Sequence, residues 1–211
     1  YSQDSTCQIP ILSSLIELFL GARQYGFFVE VGAYDGVTAS NTFGLAKRSW
    51  HGLLIEPIPK FAELCSLNHR NHAFVQVLNL GISSRDEEKL LFNVSGALTT
   101  AIKDQFEELK AVNWAVNHLT DERIEITCKR LETVLHENKV PKNFDILVVD
   151  VEGMETEVFE SFDLTLWQPK MLIVELTDTH PDFRKFKMAP AKLLVAIQSA
   201  GYQIVFKDHI N

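Results

Sequence analysis

Phe27-Phe-Val-Glu-Val-Gly-Ala-Tyr-Asp-Gly36 and, after the next stretch of helical spacing, Gly52-Leu-Leu-Ile-Glu-Pro57 are the segments on which the fold of this chain turns. Each is a short apolar run that ends in an acid or a glycine and then gives way to helix-like periodicity. Continuous apolar runs suit strands buried on both faces, and their alternation with helical segments is the pattern of βαβ units around a parallel sheet.

The alternation extends outward from there. Residues 10–20 place apolar side chains at helical spacing behind Pro10 and before Gly21, which predicts an opening helix. Helices are expected from Asn41 to Lys47 and from Lys60 to Asn68, with a third apolar run from Ala73 to Leu80. The rhythm returns with Phe144–Asp150, a helix from Met154 to Phe162, Lys170–Glu175, a helix over Pro190 to Ala200, and Tyr202–Phe206, so six principal strands are countable. Between residues 89 and 131 it breaks: Lys89–Val94 and Arg123–Cys128 read as strands flanking a polar, partly helical insertion, a hairpin or lid. Phe92, Phe106 and Trp114 there suit a small satellite core or the lining of a cleft. No repeat or linker divides the chain, so 1–211 is read as one α/β domain with an N-terminal helical segment over 1–26.

Composition narrows the partners. At 46% hydrophobic with no apolar run of membrane length, the chain reads as globular with no membrane span. A net charge of -8 with no basic stripe disfavours nucleic acid and favours small molecules. Cys7, Cys65 and Cys128 have no metal-ligand or redox spacing, which favours a reducing, cytoplasmic setting. The chain starts at Tyr1 without a signal pattern, consistent with a trimmed or processed N-terminus.

In an open parallel sheet, ligands bind beyond the carboxyl ends of the strands, so the loop from Gly32 to Gly36 is the first place to look. A dinucleotide fingerprint needs glycine where this chain has Tyr34 and Val37, so a nicotinamide or flavin dinucleotide fits poorly. Glu30 and Asp35 are also badly placed beside phosphates and suit a positively charged ligand. S-adenosylmethionine has a sulfonium and an ammonium and no phosphate. Read conservatively, Glu30 caps the strand edge and Asp35 caps the next helix. Glu56, 20 residues past Gly36, stands where a carboxylate accepts hydrogen bonds from a ribose diol, although a plain strand-end acid would look the same.

Taken together, Val29–Thr42, Trp50–Pro59, Asp150-Val-Glu-Gly-Met-Glu155 and Leu172-Ile-Val-Glu175 closely resemble the FkbM family of S-adenosylmethionine-dependent methyltransferases, over about residues 27–206. The resemblance implies a Rossmann-like class I methyltransferase fold: a mostly parallel sheet of six or seven strands with helices on both faces. It implies that Glu30 and Gly32, Ala33, Tyr34, Asp35 and Gly36 cradle the amino-acid part of the cofactor, that Glu56 holds the ribose beside Pro57, that Ile58 borders the adenine, and that Asn41 lies near the same pocket. It further implies O-methylation of a hydroxyl on a sugar, glycan or small metabolite. The sequence offers no clear strand after Phe206, which leaves the family's antiparallel edge strand open.

Asp150 and Glu152 fall in the loop facing the transferred methyl, and either can serve as the base that deprotonates a hydroxyl; His180 is the alternative. Asp150, Glu152 and Glu175 also form a set of oxygen ligands that a hard divalent cation would accept, but without a dense ligand motif no metal is expected. Otherwise Glu152 caps the following helix and Glu175 pairs with a base. Two rival readings are a domain that keeps the fold but only binds or scaffolds, and a nicotinamide oxidoreductase, which Tyr34 disfavours.

Overall fold

A computed structural model describes residues 7–176 and 188–208. In chain order its elements are α1 (Leu12–Leu20), β1 (Phe27–Val31), α2 (Phe43–Ala46), β2 (His51–Ile55), α3 (Pro59–Asn68), β3 (Val75–Leu78), β4 (Gly81–Ile82) and β5 (Glu88–Asn93). They continue with α4 (Lys103–Leu109), β6 (Arg123–Lys129), α5 (Leu131–Glu137), β7 (Ile146–Val149), α6 (Glu155–Glu160), α7 (Leu164–Trp167), β8 (Met171–Val174) and α8 (Met188–Ser199).

The central sheet runs β3-β2-β1-β7-β8, and every pair in it is parallel. The strands are apolar on both faces because both are covered. Val29, Val31, Leu53, Ile55, Leu147 and Val149 pack against Leu131, Val134 and Leu135 of α5, Val158 of α6 and Trp167 of α7. Their sequence neighbours Phe28, Leu54, Ile146 and Val148 point the other way, onto Leu12, Ile16 and Leu20 of α1 and onto Leu45, Trp50 and Cys65. The period of two along each strand thus divides its side chains between two cores.

The chain leaves β1 toward β2 and β3 on one side and returns to β7 and β8 on the other. The order therefore reverses between β1 and β7, and a crevice opens at their carboxyl ends. The ladder continues one residue past the strands there: Glu56 N donates to Leu78 O at 3.0 Å, Asp150 N to Val31 O at 3.0 Å, and Glu175 N to Val149 O at 3.0 Å. Three acids are thereby fixed by backbone hydrogen bonds at the rim of the sheet.

The insertion is a hairpin, as its sequence predicts. β5 and β6 pair antiparallel, and β4 joins β6 to make a separate three-stranded sheet that begins before residue 89. Leu109, Val112 and Ala115 form its satellite core with Leu98 and Leu119. Phe92, Ile126 and Cys128 tie it to Ile58 and Met154 of the main body. Phe106 is buried, whereas Trp114 is exposed.

One expectation fails. Tyr202–Phe206 is not a strand, and the central sheet has five strands among the described residues, not six or seven. A strand needs a partner, and this segment has none among the described residues: a groove of ≈ 550 Å³ is lined by Met171–Val174 of β8 and by residues 202–207. Tyr202 is instead held by its hydroxyl, which donates to Pro169 O at 2.6 Å, while Ile204 and Val205 face solvent. The antiparallel edge strand is likewise absent from the central sheet among the described residues. No described helix is long and apolar enough to cross a membrane.

Candidate active site

A cavity of ≈ 200 Å³ sits at the carboxyl ends of β1, β2, β7 and β8. Its walls include Glu30, Gly32, Ala33, Tyr34, Asn41, Glu56, Pro57, Asp150, Glu152 and Glu175, with Gly96, Ala97 and Thr99 contributed by the insertion. Gly32 has φ +88°, and a Cβ on it would lie 1.7 Å from Asp150 O, so any side chain would force β1 and β7 apart at their ends. Tyr34, Ala39 and Glu152 also line the cavity with positive φ (48°, 54° and 50°), a backbone state that costs non-glycine residues energy and collects at functional sites.

Glu56 is almost wholly buried and bridges two turns of backbone: Tyr34 N donates to Oε2 at 2.8 Å and Ile58 N to Oε1 at 2.9 Å. Burial still outweighs these amides and pushes its carboxyl up to about 7. Each oxygen keeps one free acceptor site. Glu30, 5% exposed, receives a short hydrogen bond from the Thr42 hydroxyl; burial first, and then the charge of Asp150, push it up to about 8.

The opposite wall is acidic as well. Asp150, Glu152 and Glu175 present oxygens that all lie within 4.8 Å of one another. Burial and then the neighbouring Asp150 hold both Glu152 and Glu175 well above the usual carboxylate range, so the group shares protons. Glu175 has no ion pair to a basic side chain among the described residues. Glu152 does not cap α6, which has no side-chain cap hydrogen bond; in the loop before the helix, Gly153 N (3.1 Å) and Val151 N (3.4 Å) donate to Glu155, which burial pushes up to about 7.

Three of the predicted residues stand outside the cavity wall. Asp35 does not begin a helix; its carboxylate closes a turn, accepting from Val37 N (2.9 Å), Thr38 N (2.7 Å) and the Thr38 hydroxyl. Gly36 lies behind the loop against Cys65 and His69, and Ile58 is buried under Glu56. Asn41 lines the cavity, but its amide anchors the N-terminal segment, accepting from Ile9 N at 3.3 Å and donating to Gln8 Oε1 at 2.9 Å. His180 lies outside the described residues.

Sequence reading missed Thr42 as the partner of Glu30, Met154 and residues 96–99 as wall, and Gln105 of α4. Gln105 is 4% exposed, packs against Gly153 of the acidic loop, and its Nε2 finds no hydrogen-bond partner among the described residues. In the sequence it is only an amide among mostly charged neighbours on an insertion helix, which is no motif.

Two comparisons bear on this geometry. A curated protein, "Methyltransferase 1" of Beauveria bassiana (strain ARSEF 2860), is 29% identical over 162 residues, 72% of this chain and 62% of the relative, so the match spans about three-fifths of that relative's length. The family model described as "Methyltransferase FkbM domain" matches residues 30–204, which takes in the end of β1, the glycine loop, Glu56, the acidic loop and the insertion between them, and the chain therefore belongs to the FkbM methyltransferase domain family.

Proposed function

We propose that this chain is an S-adenosylmethionine-dependent methyltransferase that acts on a hydroxyl of a sugar, glycan or small metabolite. One observation carries the cofactor reading: among the described residues, five carboxylate residues and no Lys, Arg or His line the cavity. Such a wall disfavours phosphate-bearing ligands and suits a ligand with cationic ammonium and sulfonium groups, and the ladder-pinned Glu56 offers two free acceptor sites of the kind a ribose diol satisfies. Gly32 keeps the floor open to the backbone, where a substituted residue would fill the cradle.

When bound, S-adenosylmethionine supplies an electrophilic methyl on a cationic sulfur. Glu56 accepts from the ribose hydroxyls while Tyr34 N and Ile58 N hold its carboxylate in place. Glu30, Glu152 and Glu175 give the sulfonium side of the cavity a negative potential that grows as their protons leave. Asp150 would take the proton from the acceptor hydroxyl. Gly96–Thr99 of the insertion border the same space and help align the acceptor, and alignment is the main contribution such a displacement needs.

Calorimetric titration with S-adenosylhomocysteine tests the reading. Binding by the wild-type chain and its loss, by about tenfold or more, in Glu56→Ala are expected. No binding by a folded sample, or equal binding by both, overturns it. Binding without turnover on a panel of hydroxylated metabolites and glycans would favour the scaffold alternative.

A further inference from the structure

We propose that Asn68 and His69, at the end of α3, are positioning residues that clamp the glycine loop from behind, and that His72 sets the tautomer with which His69 does so. The proposal rests on the loop's assignment to cofactor binding.

The loop's front edge, Gly32 to Tyr34, faces the cavity, and its rear faces α3. Two successive carbonyls there are each held by a side chain. Asn68 Nδ2 donates to Asp35 O at 2.9 Å, and His69 Nε2 lies 2.9 Å from Gly36 O. The fit is close: Gly36 has φ +73°, and a Cβ on it would stand 2.6 Å from Cys65 Sγ and 2.7 Å from His69 Nε2. The held loop is the one that delivers Tyr34 N to Glu56 at 2.8 Å and keeps Tyr34 in its left-handed conformation. Loosening the rear therefore misplaces the front.

The proton positions follow from chemistry. Gly36 O can only accept, so His69 carries its proton on Nε2. His69 is 3% exposed, and burial disfavours its charged form, which leaves Nδ1 a bare acceptor. His72 Nδ1 lies 3.0 Å from that Nδ1 and must supply the hydrogen. The relay thus runs from His72 Nδ1–H to His69 Nδ1, and from His69 Nε2–H to Gly36 O. One added proton is tolerated by shifting the tautomer of His72; two would set N–H against N–H. The charged and titratable neighbours are Asp35, which favours charge on His69, and Lys47, which opposes it on His72. The Cys65 thiol, pushed up to about 12, stays neutral, and the Phe43 ring meets both imidazoles edge-on.

The test combines S-adenosylhomocysteine titration, thermal melting and ¹⁵N-histidine NMR on the full chain. The wild-type spectrum should show His69 protonated on Nε2 and His72 on Nδ1. Asn68→Ala, at a half-buried site, and His69→Leu should each weaken binding about tenfold while still melting cooperatively. His69→Gln, which restores a donor toward Gly36 O, should recover to within about threefold. If wild type binds and Asn68→Ala binds equally well, or if neutral His69 carries its proton on Nδ1, the clamp is wrong while the cofactor reading stands. If wild type does not bind at all, both fall.

Discussion

Glu30→Gln isolates the cost of keeping a carboxyl under the glycine loop. Glu30 sits at 5% exposure with the Thr42 hydroxyl on its Oε2, and its folded value of about 8 lies above the ordinary 4.5 because burial, and then Asp150, disfavour the charged form. For an acid raised in this way, the stabilising contribution is complete below 4.5 and is lost as pH rises through about 8. At about 1.36 kcal/mol per pH unit, the interval corresponds to on the order of 5 kcal/mol, of which about 3 to 4 kcal/mol falls between pH 5 and pH 8. Glutamine is neutral throughout and nearly isosteric, so it removes this slope. The assay is urea denaturation of both proteins without ligand at pH 5, 6.5 and 8, read as the difference between them so that other titrating groups cancel. The wild type should lose about 3 to 4 kcal/mol relative to Glu30→Gln from pH 5 to pH 8. A difference that stays constant within about 0.5 kcal/mol would refute the argument that Glu30 is held protonated by burial.

Other expectations concern the site and its support. Ribose hydroxyls that donate to Glu56 favour its charged form, so S-adenosylhomocysteine binding at pH 7 should release protons, seen as binding heats that vary with the ionisation enthalpy of the buffer; identical heats would contradict the raised carboxyl. Asp150→Asn should bind cofactor within about threefold of wild type and lose about 10²–10⁴ in turnover on an identified acceptor, and unchanged turnover would move the base elsewhere. With Asp150 as base rather than metal ligand, chelation should leave turnover intact; loss on chelation and recovery with magnesium would make Asp150, Glu152 and Glu175 a cation site. Asp145, whose side chain is 8% exposed and takes hydrogen bonds from Arg23, Lys170 and Phe27 N, lies at the far end of the sheet. Asp145→Ala should cost about 2–4 kcal/mol of stability by chemical denaturation without changing cofactor affinity.

Much of this arrangement is legible in the chain because burial writes a simple pattern. β1, β2, β7 and β8 are mainly apolar runs, broken within β1 by the buried Glu30, for the physical reason that both faces are covered, and the acids Glu56, Asp150 and Glu175 follow β2, β7 and β8 where the sheet gives way to the crevice. The failures are equally physical. Tyr202–Phe206 carries the composition of a strand, but a strand exists only when paired, and pairing is a property of the neighbours. β4 has only two residues and no period to detect. Glu152 has the residue type of a helix cap, but α6 has no side-chain cap, and the loop amide of Gly153 goes to Glu155 instead. Asn41 and Asp35 have residue types that suit a ligand loop, yet their polar atoms are engaged by Gln8, Ile9, Val37 and Thr38. The His69–His72 relay depends on an approach of α3 to the glycine loop that no local spacing encodes.

The most direct test is a crystal structure with S-adenosylhomocysteine bound. The account predicts its ribose hydroxyls within hydrogen-bond distance of both Glu56 oxygens and its sulfur facing Asp150 and Glu152 across the cavity. A ligand seated away from Glu56, or with its sulfur turned from the acidic loop, would contradict it.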